Sequence, residues 1–258
     1  MIKTIGQNKA VVDSVKNPES GILSDEFLIS KVDNAKTDAR IKYPSYKSLD
    51  EFVNVERLKS LDEYVTDKIK ERIATKAEEY FLNAYRLEAD SLHQPGAREI
   101  WLSRPKVIQP SVYNDLDKTE LWERTEDAEN FSPLIDFIET LPFKATGRML
   151  IIYDDAARPV PAHRDHLDTD ICYEFIWFRT KLNKPFYMLN HKTREKKYVE
   201  SYSAWFDSVN QFHGVDPYDG FSFSVRVDGI FTDEFRRHIP KPSFNIASTP
   251  ALWACIQS

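Results

Sequence analysis

Between Leu61 and Ala84 apolar residues recur at steps of three and four: Leu61, Tyr64, Val65, Ile69, Ile73, Ala77, Tyr80, Phe81 and Ala84. That spacing lays one apolar stripe along a helix. Two Ser-x-x-Glu groups, Ser48–Glu51 and Ser60–Glu63, have the form of a capping box and predict two helix starts. Gln94-Pro95-Gly96 closes the helical stretch. Beyond it the period changes. β-favouring groups broken by prolines occupy 99–113, and a short helix is predicted at about 132–140, with Pro133 in its first turn. From Arg148 onward short apolar runs alternate with turn residues. Strands are predicted at Met149–Tyr153, Tyr173–Arg179, Phe186–Leu189, Lys197–Val199, Ala204–Phe206 and Phe221–Phe231. Many short strands late in the chain predict a mostly β fold, an antiparallel sandwich or barrel with helices packed outside it. The chain divides into a polar arm over 1–47, a helical region over 48–98 and a β-rich core over 99–258. The last two form one continuous domain.

Composition narrows the function classes. Of 258 residues, 41% are hydrophobic and 29% charged, enough apolar material for a large core. A formal net charge of −6 disfavours binding to nucleic acid by phosphate neutralisation. The two cysteines, Cys172 and Cys255, form no CxxC pair, which excludes a zinc ribbon or a disulfide framework. Residues 1–17 carry no apolar run like that of a signal peptide. No stretch approaches the ~20 apolar residues of a membrane span. The expectation is a cytoplasmic protein without a membrane partner, its oligomeric state left open.

One constellation carries chemistry. In an extended segment residues i and i+2 share a face, so His163 and Asp165 point the same way while Arg164 points opposite. Two imidazoles and a carboxylate on one face form the ligand set of an iron site that keeps positions open for oxygen. His213, on a later strand, is the candidate third ligand. Within Phe221–Val227 the even-numbered residues Ser222, Ser224 and Arg226 line one face. An inward arginine is costly to bury unless it meets an anion, and a dicarboxylate suits its fork. His166, three residues from His163, suits a turn better than a strand and reads as a residue behind the ligands or at the surface, while His93, His191 and His238 neighbour turns or charges and read as exposed loop residues.

These residues are recognisable. Gly147-Arg148-Met149-Leu150-Ile151-Ile152-Tyr153, followed by Pro159-Val160-Pro161-Ala162-His163-Arg164-Asp165, resembles the 2-oxoglutarate/Fe(II)-dependent dioxygenases. The pattern looks most like the branch of aspartyl/asparaginyl β-hydroxylases and free-amino-acid (proline-type) hydroxylases. Leu141-Pro142-Phe143 is similar to that branch's helix end, and Trp205–Val215 to its segment leading to the second histidine. The resemblance spans roughly 130–231. It implies a double-stranded β-helix (a jelly-roll, cupin-like core) packed against the N-terminal helices. It implies Fe(II) held by His163, Asp165 and His213, 2-oxoglutarate paired with Arg226 beside Ser224, and O2 as oxidant. The reaction implied is hydroxylation of a C–H bond, with release of succinate and CO2. Asp165 favours hydroxylation over halogenation, since the related halogenases have a small residue in its place.

The branch often carries an Arg-x-His pair on the next strand. The stretch Tyr173-Glu174-Phe175-Ile176-Trp177-Phe178-Arg179 lacks it. Family analogy alone suggests an amino acid or an amino-acid-like substrate, with Arg148, Trp177, Asn210 and Asp228 as candidate contacts. Tyr173, Glu174 and Arg179 read more simply as sheet residues. Two other readings stand beside this one: a cupin-type metal barrel without 2-oxoglutarate chemistry, and a non-enzymatic ligand-binding module.

Overall fold

The computed structural model describes residues 46–81, 98–107, 119–163, 174–190, 193–208 and 211–240. The central strand is β11 (Ser222–Phe231), hydrogen-bonded on both edges, antiparallel to β4 (Phe143–Asp154) and to β6 (Phe175–Phe178). β9 (Ser203–Phe206) adds beyond β6, and β1 (Tyr46–Ser48) beyond β9. On the other side β2 (Arg98–Pro105) and β3 (Trp122–Arg124) extend from β4. The result is a seven-stranded sheet in the order β1-β9-β6-β11-β4-β2-β3. A four-stranded sheet has the order β5 (Val160–His163), β10 (Phe212–Val215), β7 (Phe186–Leu189), β8 (Lys196–Tyr198).

From β4 to β11 the chain passes back and forth between the sheets. β4, β6, β9 and β11 belong to the large one, and β5, β7, β8 and β10 to the small one. Eight antiparallel strands wound in this way form a double-stranded β-helix, a jelly roll. The mostly β expectation and its double-stranded β-helix core are thus both met.

Strand alternation divides the large sheet's side chains between two environments. Facing outward, Phe178 meets Phe137 edge-on at 5.3 Å, and Tyr153 meets Phe81 at 5.5 Å. Phe137 lies on α4 (Ser132–Ile138), which follows α3 (Glu126–Asn130) and has its proline at the first turn as the sequence predicts. Facing inward, Trp177 stacks on Phe186 of the small sheet at 4.7 Å. Phe186 in turn contacts Phe206 at 5.2 Å. Registers Arg226↔Trp177 and Asp228↔Phe175 put Ser224, Arg226 and Asp228 on that same inner face.

The helical region departs from its prediction at both capping boxes. Ser48 ends strand β1, and the first helix, α1 (Val55–Ser60), starts instead at Asn54, whose Oδ1 accepts from Arg57 N at 3.0 Å. Ser60 is the last residue of α1, its hydroxyl donating to Arg57 O at 2.7 Å. α2 (Asp62–Thr75) then begins with no side-chain cap. The aspartate inside each group serves the tertiary fold instead. Asp50 accepts from Tyr202 N, Ser203 N and Ser203 Oγ at 3.1, 2.7 and 2.8 Å, while Asp62 takes Thr180 and Lys181. The helical period also breaks at Lys76, giving way to a 3-10 turn at Glu78–Phe81.

No helix among the described residues is long and apolar enough to cross a membrane. Most of the polar arm (1–45), Ala84, Gln94-Pro95-Gly96, His93, His166, His191, Tyr173 and both cysteines lie outside the described residues.

Candidate metal centre

His163 ends β5, and His213 is the second residue of β10. The two strands pair antiparallel with His213 opposite His163, and the register shifts between His213 and Val215. The imidazole centroids lie 4.4 Å apart, the planes inclined at 54°. Each ring is oriented by its own chain: His163 Nδ1 lies 2.9 Å from Pro161 O, and His213 Nδ1 lies 2.9 Å from Gln211 O. A carbonyl oxygen only accepts, so Nδ1 carries the proton in each neutral ring and the lone pair is on Nε2. This is the ring state a divalent metal requires, with the backbone carbonyl fixing tautomer and orientation. Phe206 at 4.9 Å and Phe186 at 5.9 Å wall the His213 ring with apolar surface.

Two of the three predicted ligands are therefore brought face to face. Asp165 and Asn210 lie outside the described residues, and no group of three or more His, Cys, Asp or Glu positioned for a metal occurs among the described ones.

Gly214 permits this approach. A Cβ there would stand 2.6 Å from Val160 O and 2.6 Å from the Tyr187 hydroxyl. The tyrosine tip can move; the backbone of β5 cannot without shifting His163. Gly214→Ala is expected to destabilise the fold by about 1–3 kcal/mol through overpacking and to lower metal retention. Urea unfolding and metal content after dialysis would check this, and unchanged values for both would show that β5 has room to move.

The inner face of the large sheet supplies the polar groups. Asp228, 1% exposed, stands between two guanidiniums. Its Oδ2 accepts from Arg148 Nε at 2.9 Å, and its Oδ1 lies 3.1 Å from Arg226 Nε and 3.0 Å from Arg226 Nη2. The Arg226 guanidinium also lies 4.0 Å above the Phe175 ring. Two cations and one anion leave this buried triad a formal +1. Arg148, Trp177, Ser224, Arg226 and Asp228 thus all sit on the inner face or in its polar cluster. Glu174 and Arg179 do structural work: Glu174 binds Arg236 and Phe231 N, and Arg179 donates to the carbonyls of Lys184, Val199 and Ser201. His238 is exposed and rests against Phe52 at 4.6 Å.

Sequence reasoning missed one group. Lys184, before β7, is 4% exposed and donates to Ser224 Oγ at 3.2 Å and Ile152 O at 3.3 Å. Burial pushes its ammonium down to about 8, against a smaller opposing pull from Asp154. Nothing local in Asn183-Lys184-Pro185 distinguishes it from a surface lysine.

No protein-family model and no curated protein matches the chain. Among solved structures, it is similar to a Pseudomonas putida prolyl-4-hydroxylase at 10% identity and TM-score 0.39, covering 80% of this chain and 98% of that one. A viral collagen prolyl hydroxylase from Paramecium bursaria Chlorella virus-1, in complex with 2-oxoglutarate, matches at 9% identity and TM-score 0.36, over 72% and 96%. A Trichoplax adhaerens prolyl hydroxylase, in complex with a hypoxia-inducible-factor peptide fragment, matches at 10% and 0.42, over 93% and 98%. At these values the fold assignment rests on the strand order.

Proposed function

We propose that the protein is an Fe(II)- and 2-oxoglutarate-dependent oxygenase, with His163, Asp165 and His213 as iron ligands. The observation that carries the reading is the facing histidine pair, each Nδ1 turned to a backbone carbonyl so that Nε2 has the lone pair. It stands inside a double-stranded β-helix whose interior also carries buried cations. Asp165, two residues beyond His163 in the sequence, supplies the carboxylate that favours hydroxylation over halogenation. Bound iron and 2-oxoglutarate supply the oxidising power, O2 oxidising a substrate C–H bond as the oxo acid is converted to succinate and CO2.

The chain's own residues hold, orient and exclude. Pro161 O and Gln211 O lock the imidazoles, Phe186 and Phe206 keep water from the His213 ring, and the inner face provides cations for carboxylates. Arg226 and Lys184 are the two interior candidates for the far carboxylate of 2-oxoglutarate, Ser224 lying beside the latter. Arg148, Trp177 and Asp228, with Asn210, are assigned to the substrate. The Arg–Asp pairing presents both signs of charge, which suits an amino acid or amino-acid-like molecule.

The test is anaerobic addition of Fe(II) and 2-oxoglutarate. A weak visible charge-transfer band is expected for the wild type and is lost in His163→Ala and His213→Ala. A wild-type protein that binds neither iron nor 2-oxoglutarate would falsify the reading. Iron binding without the band would favour a metal barrel of another chemistry. Succinate release during a screen of amino acids and peptides then identifies the substrate.

A further inference from the structure

The two carbonyls that orient the imidazoles are held by different means. Pro161, whose O meets His163 Nδ1, is restricted by its own ring. Gln211, whose O meets His213 Nδ1, has no such restraint in its backbone. It also stands immediately before β10, at the end of that strand's ladder. On the β5 side the pairing of β10 is irregular between His213 and Val215. On the other side β7 holds β10 in regular register, from Phe212↔Leu189 to Val215↔Phe186. The aim of His213 therefore depends on how the β7 side of β10 is closed.

The Gln211 side chain closes it. Its Nε2 donates to Leu189 O at 3.1 Å and to Phe212 O at 3.0 Å, the two carbonyls of the last rung. Both neighbours only accept, so the NH2 end of the amide is the end that faces them. Gln211 is 3% exposed, and both bonds form away from bulk solvent. Its backbone N–H donates to Asp207 O at 2.7 Å, the residue that follows β9. Tied to β7 by its side chain and to the end of β9 by its N–H, Gln211 is held with its carbonyl towards His213 Nδ1.

We infer that Gln211 is a positioning residue of the metal centre: its carboxamide clamps the last rung of β10 and β7, and so fixes the carbonyl that sets the tautomer and aim of His213. The inference rests on the oxygenase reading for the identity of the metal, while the ring state it concerns exists without metal. A ring that must turn or move its proton before it can coordinate forfeits part of the binding energy. The clamp removes that cost on the His213 side, as the proline ring does on the His163 side.

The experiment compares metal-free wild type and Gln211→Met, which keeps the side chain's length and removes the donor. Proton–nitrogen correlation NMR of the isotope-labelled proteins reads the tautomer of each neutral imidazole. In the wild type both rings are expected to carry their proton on Nδ1. In Gln211→Met, His163 keeps that form and His213 becomes a mixture of the two tautomers. Co(II), an oxygen-stable stand-in for Fe(II), is expected to bind the variant about 10- to 100-fold more weakly, the range for loss of an outer-shell partner. Ile69→Ala, a destabilising core variant on α2, is expected to leave both rings and the Co(II) affinity unchanged. A His213 that keeps its Nδ1 proton in Gln211→Met, with unaltered Co(II) affinity, overturns the inference. So does an equal change in both histidines, or the same change in Ile69→Ala. A protein with the expected ring states that forms no charge-transfer band with Fe(II) and 2-oxoglutarate keeps this inference and loses the oxygenase reading. Should Gln211→Met fail to fold, Gln211→Leu, which also fills the buried site without a donor, makes the same comparison.

Discussion

Asp228→Ala is expected to cost about 3–5 kcal/mol of stability, the range for stripping one partner from a buried ionic cluster. The carboxylate is 1% exposed and is shared by Arg148 from β4 and Arg226 from its own strand, each arginine 7% exposed. Removing it changes the cluster's formal charge from +1 to +2 at a largely buried place. The guanidiniums cannot shed their protons to relieve this. Asp228→Asn keeps the shape but turns an amide towards groups that only donate, so a similar loss is expected. The control is Asp228→Ala combined with Arg148→Met, which removes one of the two stranded charges and should recover part of the loss. Urea unfolding followed by tryptophan fluorescence checks all three proteins. A loss under about 1 kcal/mol for the single variant would mean that water or local rearrangement screens the pair more than its burial implies.

The second large effect runs the other way. At neutral pH, Lys184→Met is expected to stabilise the protein. Burial lowers the folded-state pKa of Lys184 from 10.5 to about 8, so below pH 8 the folded protein carries a charged lysine that the unfolded chain holds more easily. A difference of that size corresponds to about 3 kcal/mol of destabilisation. Between pH 8 and 10.5 the folded lysine gives up its proton before the unfolded one does, so wild-type stability rises with pH through this window. Methionine has no such titration. Its advantage is therefore largest below pH 8, declines across the window, and is reduced throughout by the two hydrogen bonds lost at Ser224 and Ile152, about 1 kcal/mol each. Stability differences measured at intervals from pH 7 to 10 test this. A difference independent of pH would mean that the ammonium is not held below its ordinary range.

Much of the core was legible from local periods. Phe186–Leu189 is a strand with the predicted ends, and the alternation of Ser222, Ser224 and Arg226 puts all three on one face. A pleat repeats every two residues whatever the strand's neighbours, so residue order alone reveals it. The helical stripe from Leu61 is equally local, and Leu61, Val65, Ile69 and Phe81 are its buried members among the described residues. The capping boxes misled because the pairing partner is remote: Ser48 closes a strand that pairs with residues more than 150 positions away, and Ser60 closes a helix already begun at Asn54.

The amino-acid order therefore identifies many of the elements, the face on which Ser222, Ser224 and Arg226 stand, and the His163-x-Asp165 candidate pair, because these depend on neighbours two to four residues apart. His213 is a candidate through the family resemblance. Only the folded chain decides that His163 faces His213 across β5 and β10, that one aspartate serves two arginines, and that Lys184 lies inside the barrel. Those outcomes follow from which strands pair and in what order the two sheets are wound. Pairing joins segments far apart along the chain, and no local period encodes it.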